Sequence, residues 1–485
     1  MTTQVAAFSV GPIVGHCDRT SVRIFGRADI ATALPEGKAM LGRIQWRVVA
    51  PAGQPAQPWG AVLPFRLNRN FDASGVVILK DLQPGTEYEF RAGWVVNEAA
   101  GDGSLSWGDV PAGRFRTAPA ADEAPVSLLF GSCCYRFFDL GGRVSDDRAD
   151  KTFKAMLAHQ ADYGEVDFTL LAGDQIYADP LNRLGAISAE EQYLSLYRRV
   201  FGQPHMQRMM ATTPTYMILD DHEIEDNWPA SASAADWVGK LPAALKAYQI
   251  YQASHSPAMP LDAAGQYLDA DPDHLWYSFR RGCVDVFVMD VRTERQLARR
   301  TRDRMMISAR QEQALTEWLL DGPERVKLIV SPVVVFPDQK RLFRRQDAWE
   351  GFVAQRARLL EVIRRHQLKR VAFISGDVHA SLVAALHSRR RGEPQTIYNM
   401  VSSGLFWPTA LLAFRWYGPM LQSSGRLATG GLWSRYRVQL LRGVYSRDAF
   451  ARLDVTTEGF HYRLFDRRGD PLPDYDVQQS WLPLA

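Results

Sequence analysis

The chain has 485 residues, 46% of them hydrophobic and 23% charged, which marks it as globular with room for about two to four domains. A formal net charge of +3 gives no electrostatic reason to expect nucleic acid as a partner. The four cysteines, Cys17, Cys133, Cys134 and Cys283, form no CxxC pair and no disulfide framework, so a reducing compartment fits.

Residues 1–8 lack a basic stretch followed by an apolar run, so no signal peptide is evident and a cytoplasmic location is expected. Residues 1–119 read as an all-β sandwich. Segments 21–27 and 44–49 alternate apolar and polar side chains. The Pro84-Gly85 turn then enters a strand with Tyr88 where a tyrosine corner would sit, as in a fibronectin type III-like domain. A passive lid or shield is the expected role of this domain. A small, proline-containing linker follows at 117–125.

Residues 126–400 read as an α/β core. Apolar strands at 127–130, 166–172, 217–219, 284–290, 327–331 and 370–374 are interspersed with helical patterns at 150–157 and 351–366. Residues 401–485 read as a helical cap followed by a hairpin, 451–455 and 460–466, appended to the core. Within it, 405–421 mixes Trp407, Phe414, Trp416 and Tyr417 with arginine. It reads as helices on the rim of a site or as a stretch lying on a membrane surface. The longest apolar run, 405–414, is too short to span a bilayer.

Four strand ends carry metal-ligand residue types. They are Cys133, the Asp174/Tyr177 pair, the run Asp220-Asp221-His222-Glu223, and the Asp377/His379 pair. In open α/β sheets, ligands gather just beyond the carboxyl ends of the strands. A thiolate, a carboxylate and a phenolate around one ion call for a strong Lewis acid, because free tyrosine ionises only near pH 10. Fe3+ meets that need, with Cys133, Asp174, Tyr177 and His379 as ligands. Asp221 and Asp377 would serve a second ion, with Asp174 as the bridge. Carboxylate oxygens favour Ca2+ there, with Mg2+, Mn2+ or Zn2+ as other occupants.

Two adjacent ions suit hydrolysis of a phosphate ester. His222 is placed to protonate the leaving group. Arg292 and Arg295 follow another strand and could clamp phosphate oxygens, or be ordinary exposed arginines. Asn227 could offer its amide to a metal or to the phosphate, or simply occupy a turn. A cysteine-phosphatase loop fails, because Asp139 and Leu140 stand where its arginine belongs. No GxSxG elbow, P-loop or GxGxxG occurs. The rivals are a non-catalytic scaffold that keeps the fold and an enzyme acting on membrane-surface phosphoesters.

The ordered set resembles the PhoD-like alkaline phosphatase D family. It comprises Gly131-Ser132-Cys133, Gly173-Asp174-x-Ile176-Tyr177, Asp220-Asp221-His222-Glu223 with Asn227-Trp228, Asp290-x-Arg292, Trp349-x-Gly351-Phe352 with Arg356, and Gly376-Asp377-x-His379. The sequence departs from that pattern at Cys134 and Ala178. The resemblance implies a calcineurin-like core of four layers, two mixed sheets sandwiched by helices. It also implies Fe3+ and Ca2+, held by the residues named above, and phosphomonoesters or diesters as substrates. Many relatives are exported, and this chain shows no such signal.

Overall fold

The structure, a computed structural model, describes residues 2–29, 40–96, 105–136, 147–179, 187–230, 232–260, 272–338, 346–388, 395–408, 424–429 and 434–481. Near the N-terminus, strands Val10–Cys17, Val22–Arg27 and Ser74–Leu79 pair in one antiparallel sheet. Leu63–Arg66, Met40–Val48, Glu87–Val96 and Gly113–Arg116 pair in a second. Alternation puts Ile24, Ile44, Val77, Phe90 and Phe115 into one shared core between the sheets. Tyr88 makes the expected corner, where Gln83 N–H donates to its Oη at 2.9 Å.

The rest of the chain builds two mixed sheets. One has six strands in the order Thr215–Ile218, Phe168–Ala172, Val126–Gly131, Ala449–Val455, Gly459–Asp466, Val477–Ser480. The first three are parallel. The other has eight, with Val284–Val288, Val326–Val330, Val371–Ser375 and Gln395–Val401 parallel at its centre. These central strands are apolar runs because both faces are covered. Val286, Leu328 and Ile374 face a core shared with the six-stranded sheet. Phe287, Ile329 and Phe373 face a second core with Leu315 and Leu319 of helix Ala309–Leu320 and Leu359 and Leu360 of helix Val353–Arg365.

The C-terminal part differs from expectation. The 449–466 hairpin is not appended: Ala449–Val455 pairs with Val126–Gly131, matching Ala451 to Phe130, and sits inside the six-stranded sheet. Alternating residues signal a strand, but they carry no information about its neighbour. Two more strands, Ser424–Arg426 and Tyr436–Leu440, extend the eight-stranded sheet. No α-helix occurs among the described residues of 401–485. Residues 409–423, with most of the expected membrane-facing aromatics, lie outside the described residues. Leu405 and Phe406, from the same stretch, are buried in the core. No described helix is long and apolar enough to cross a membrane.

Candidate metal centre

Three neighbouring parallel strands and one strand of the facing sheet end on the same side. Val126–Gly131 leads to Cys133, Phe168–Ala172 to Asp174 and Tyr177, Thr215–Ile218 to Asp221 and His222, and Val371–Ser375 to Asp377 and His379. The turns are tight. Gly173 has φ +96°, and a Cβ there would meet Asp220 Cβ at 2.5 Å. A Cβ on Gly376 would meet Ser132 Oγ at 2.3 Å. Nine described non-glycine residues have positive φ, and five are Cys133 (59°), Asp174 (59°), Asn227 (60°), Asp377 (65°) and His379 (48°). Left-handed backbone costs an L-residue about 1 kcal/mol or more, so this clustering marks a site rather than a packing solution.

The side chains converge. Cys133 Sγ lies 3.2 Å from Asp174 Oδ2, and Tyr177 Oη donates to the same oxygen at 3.3 Å. Ligand atoms of Cys133, Asp174 and His379 lie within 4.8 Å of one another, and so do those of Asp174, Asp221 and His222. Asp174 therefore belongs to both groups. Asp377 belongs to neither, yet its carboxyl is pushed up by loss of water and then by the charges of Asp347, Asp220 and Asp221. Asp377, Asn227 and Trp407 are half-buried, while Cys133, Asp174, Tyr177, Asp221 and His222 are buried. Trp407 stacks on the His379 ring at 3.8 Å and fixes its plane. Ser403 Oγ accepts from His379 N at 2.9 Å and touches Cys133 Sγ at 3.2 Å, tying two strand ends together.

Without a cation, this donor set is electrostatically unsatisfied. Burial, followed by the Asp174 charge, raises the Cys133 thiol and the Tyr177 phenol well above their ordinary values. Burial and then Asp221, Asp220 and Glu223 raise Asp174 well above the carboxylate range, against the pull of His222. Asp174 Oδ1 is buried with no hydrogen-bond partner. A thiol, a phenol, an imidazole and carboxylates aimed at one another fit a metal ion, which would remove all three penalties at once.

His222 is held by a residue the sequence reading passed over. Its Nδ1 bonds to Asp179, leaving Nε2 for the site. Burial alone would lower its pKa, but Asp221, Asp174 and Asp179 hold it well above the usual histidine value. Asp179 stands one residue beyond Ala178, close to where the family resemblance calls for an acid. Glu223, the last residue of the Asp220-Asp221-His222-Glu223 run, is a buried organiser of the loops. Its carboxylate accepts from Asp174 N at 3.0 Å, Gln175 N at 2.7 Å and Asp220 N at 2.8 Å, stitching two loops together.

The two arginines named as a possible phosphate clamp are both buried. Arg292 is fully buried, bonded to Asp220 and to Asp347 Oδ1 at 2.7 Å, and 3.5 Å from Asp221. Arg295 is buried too, donating to Val291 O at 2.9 Å and Gln346 O at 3.1 Å. Neither is an exposed surface arginine. Arg292 neutralises and fixes Asp220 and Asp221, while Arg295 lies 3.8 Å from Asp347. Arg292, after burial is counted against ionisation, is the main influence holding Asp221 down to about 2. Asn227 donates its N–H to Asp221 Oδ2 at 2.5 Å, while its Oδ1 is buried with no hydrogen-bond partner. That oxygen is available to an ion.

An α/β core with clustered metal-ligand residues at its strand ends defines a metallohydrolase-like architecture. Residues 134–408, more than half of the chain, match the PhoD-like phosphatase family, and the chain belongs to that family. Alkaline phosphatase D of Bacillus subtilis (strain 168) is 25% identical over 305 residues, which cover 57% of this chain. The match spans 50% of that relative's length. A solved structure of PhoD shares the fold with a TM-score of 0.69 at 17% identity, over 98% of this chain and 89% of that one.

Proposed function

We propose that the chain is a metal-dependent hydrolase of phosphate monoesters or diesters with two ions sharing Asp174. The observation that carries this reading is the place of Asp174 in both ligand groups. Cys133, Tyr177 and His379 would complete a first, Fe3+-type site. Asp221, Asp377 and the orphaned Asn227 amide oxygen would complete a second, Ca2+-type site. Bound, the ions would supply a nucleophilic water and offset charge on the ester oxygens. His222 would give its proton, from Nε2, to the leaving oxygen, with Asp179 fixing the ring through Nδ1. Cations beside Asp174 and Asp221 would loosen the hold on that proton, bringing its release nearer to neutral pH. Arg292 and Arg295 would act behind the site as positioning residues. The same reading takes the paired sheets and flanking helices as the four-layer calcineurin-like core, and the N-terminal sandwich as fibronectin type III-like.

The test is hydrolysis of p-nitrophenyl phosphate and its bis ester by the full chain, purified with iron and calcium. Turnover should need metal. Iron-loaded protein should show a visible tyrosinate absorption that Tyr177→Phe removes. Retention of no metal would sink the reading.

A further inference from the structure

Behind Glu223 a line of buried contacts leads out of the core. Glu223 Oε1 also accepts from Gln252 Nε2 at 3.2 Å, and the same nitrogen donates to Tyr197 Oη at 3.0 Å. Gln252 is fully buried. Its neighbour Tyr251 ends helix Lys240–Tyr251 and stacks on Tyr197, with 5.0 Å between centroids and 5° between planes. Tyr251 Oη donates to Asp72 of the N-terminal sandwich, and Phe25 of the sandwich packs on its ring at 5.9 Å. Asp72 is itself buried. It takes Arg27 Nε at 2.9 Å from the sandwich and Arg198 Nε at 2.7 Å from the core, and its φ is 54°.

A buried carboxylate with two guanidiniums and a phenol on it has little freedom to move, because each charge-assisted bond fixes direction as well as distance. Tyr251 is fixed in turn by that bond and by its stack. Gln252, next in the chain, is held where its amide meets Glu223. Glu223 then holds the N–H groups of Asp174 and Gln175, where the backbone has left its relaxed region. The left-handed conformation at Asp174 persists only if its surroundings over-determine it.

We propose that the N-terminal sandwich positions the metal-bridging loop through Asp72, Tyr251, Gln252 and Glu223, and is thus a working part of the metal centre. The proposal rests on the reading of Asp174 as a metal ligand. It replaces the passive shield expected from the sequence.

The test is a Co2+ titration of the full-length, chelator-treated chain, read by the visible absorption of thiolate-ligated Co2+. Gln252→Met keeps the volume and removes the donor. It should weaken Co2+ binding about tenfold, the lower end of what outer-shell partners cost. Tyr251→Phe cuts only the link to Asp72 and should weaken binding about threefold, a modest long-range coupling. Tyr197→Phe removes the other partner of the same amide and should bind Co2+ as wild type does, even where it lowers thermal stability. Wild-type affinity in Gln252→Met, or an equal loss in Tyr197→Phe, overturns the proposal. Should Gln252→Met not fold, Tyr251→Phe decides, and wild-type affinity there overturns it. A wild-type chain that binds no Co2+ overturns the metal reading itself, and the proposal with it.

Discussion

Two nests of acidic side chains lie side by side in this core, and one of them carries its own counter-charge. Asp220, Asp221 and Asp347 surround the Arg292 guanidinium. Cys133, Asp174 and Tyr177 crowd together beside it, with the half-buried Asp377 close enough to act on the Cys133 thiol. Among the described residues, no lysine or arginine pairs with Asp174 or Asp377. The difference separates two uses of buried charge. A nest with a built-in guanidinium is a joint that holds shape, and breaking it leaves uncompensated charge, with Asp221 shared between that joint and the cluster around Asp174. A nest without one, where the raised His222 imidazole is the counter-charge offsetting Asp174, is suited to an ion from solution.

The largest test of this contrast is metal removal. Chelation should abolish phosphatase activity, and re-addition of iron and calcium should restore it. Asp174→Asn should cost on the order of 10³-fold or more in kcat/KM, since the ions supply several kcal/mol to the transition state. The same change should raise the melting temperature of the metal-free chain, because it removes a repelling acid. A lower melting temperature would break the comparison. His222→Asn should cost about 10²- to 10⁴-fold in kcat, with a smaller loss for p-nitrophenyl esters than for alkyl esters, because p-nitrophenolate leaves without a proton. Arg292→Met should leave the opposite signature, a loss of about 3–5 kcal/mol in urea-unfolding stability with or without metal.

The smallest effect is on pH. Burial, as the leading cause, raises Glu223 to about 7 and Asp220 to about 6. Unfolded, these carboxyls titrate near 4, so between about pH 4 and 7 the folded metal-free chain holds more protons than the unfolded one. While His16, His159 and His255, lowered by burial to about 4, make stability rise with pH between about 4 and 6.5, these two carboxyls make it fall through their window. The proton on His222 acts with the same sign, being lost above its raised folded pKa. Asp221, held down by Arg292, contributes with the opposite sign but only below pH 4. Urea midpoints of the metal-free chain at pH 4.5 and 7 would check this in Glu223→Gln, where the midpoint at pH 7 should rise relative to that at pH 4.5 when compared with wild type; an unchanged or smaller difference would contradict it.

The cluster of candidate residues was legible in the sequence because buried parallel strands are apolar runs, and a polar residue just past such a run stands out. That logic singles out Cys133, Asp174, Tyr177, Asp221 and His379, which the structure brings close together, without any knowledge of how the sheets pack. It failed wherever a role depends on a partner distant in sequence. Asp179 pairs with His222 across a sheet edge, and Asp347 pairs with Arg292 from a separate loop. The arginine positions suggested a clamp, and only the fold shows their side chains turned into the core. The terminal hairpin likewise announced its strands but not its insertion beside Val126–Gly131. The contact that ties the sandwich to the core, Asp72 with Tyr251, spans 179 residues and has no local signature.

The left-handed backbone at Cys133, Asp174, Asp377 and His379 also limits how this chain can change over generations. Branched side chains such as valine or isoleucine are costly at these positions whatever the chemistry requires, while glycine and asparagine fit the turns easily. A lineage that gives up catalysis but keeps the architecture should therefore pass through glycine or asparagine at these strand ends. Such residues in otherwise similar chains would be the footprints of retired enzymes.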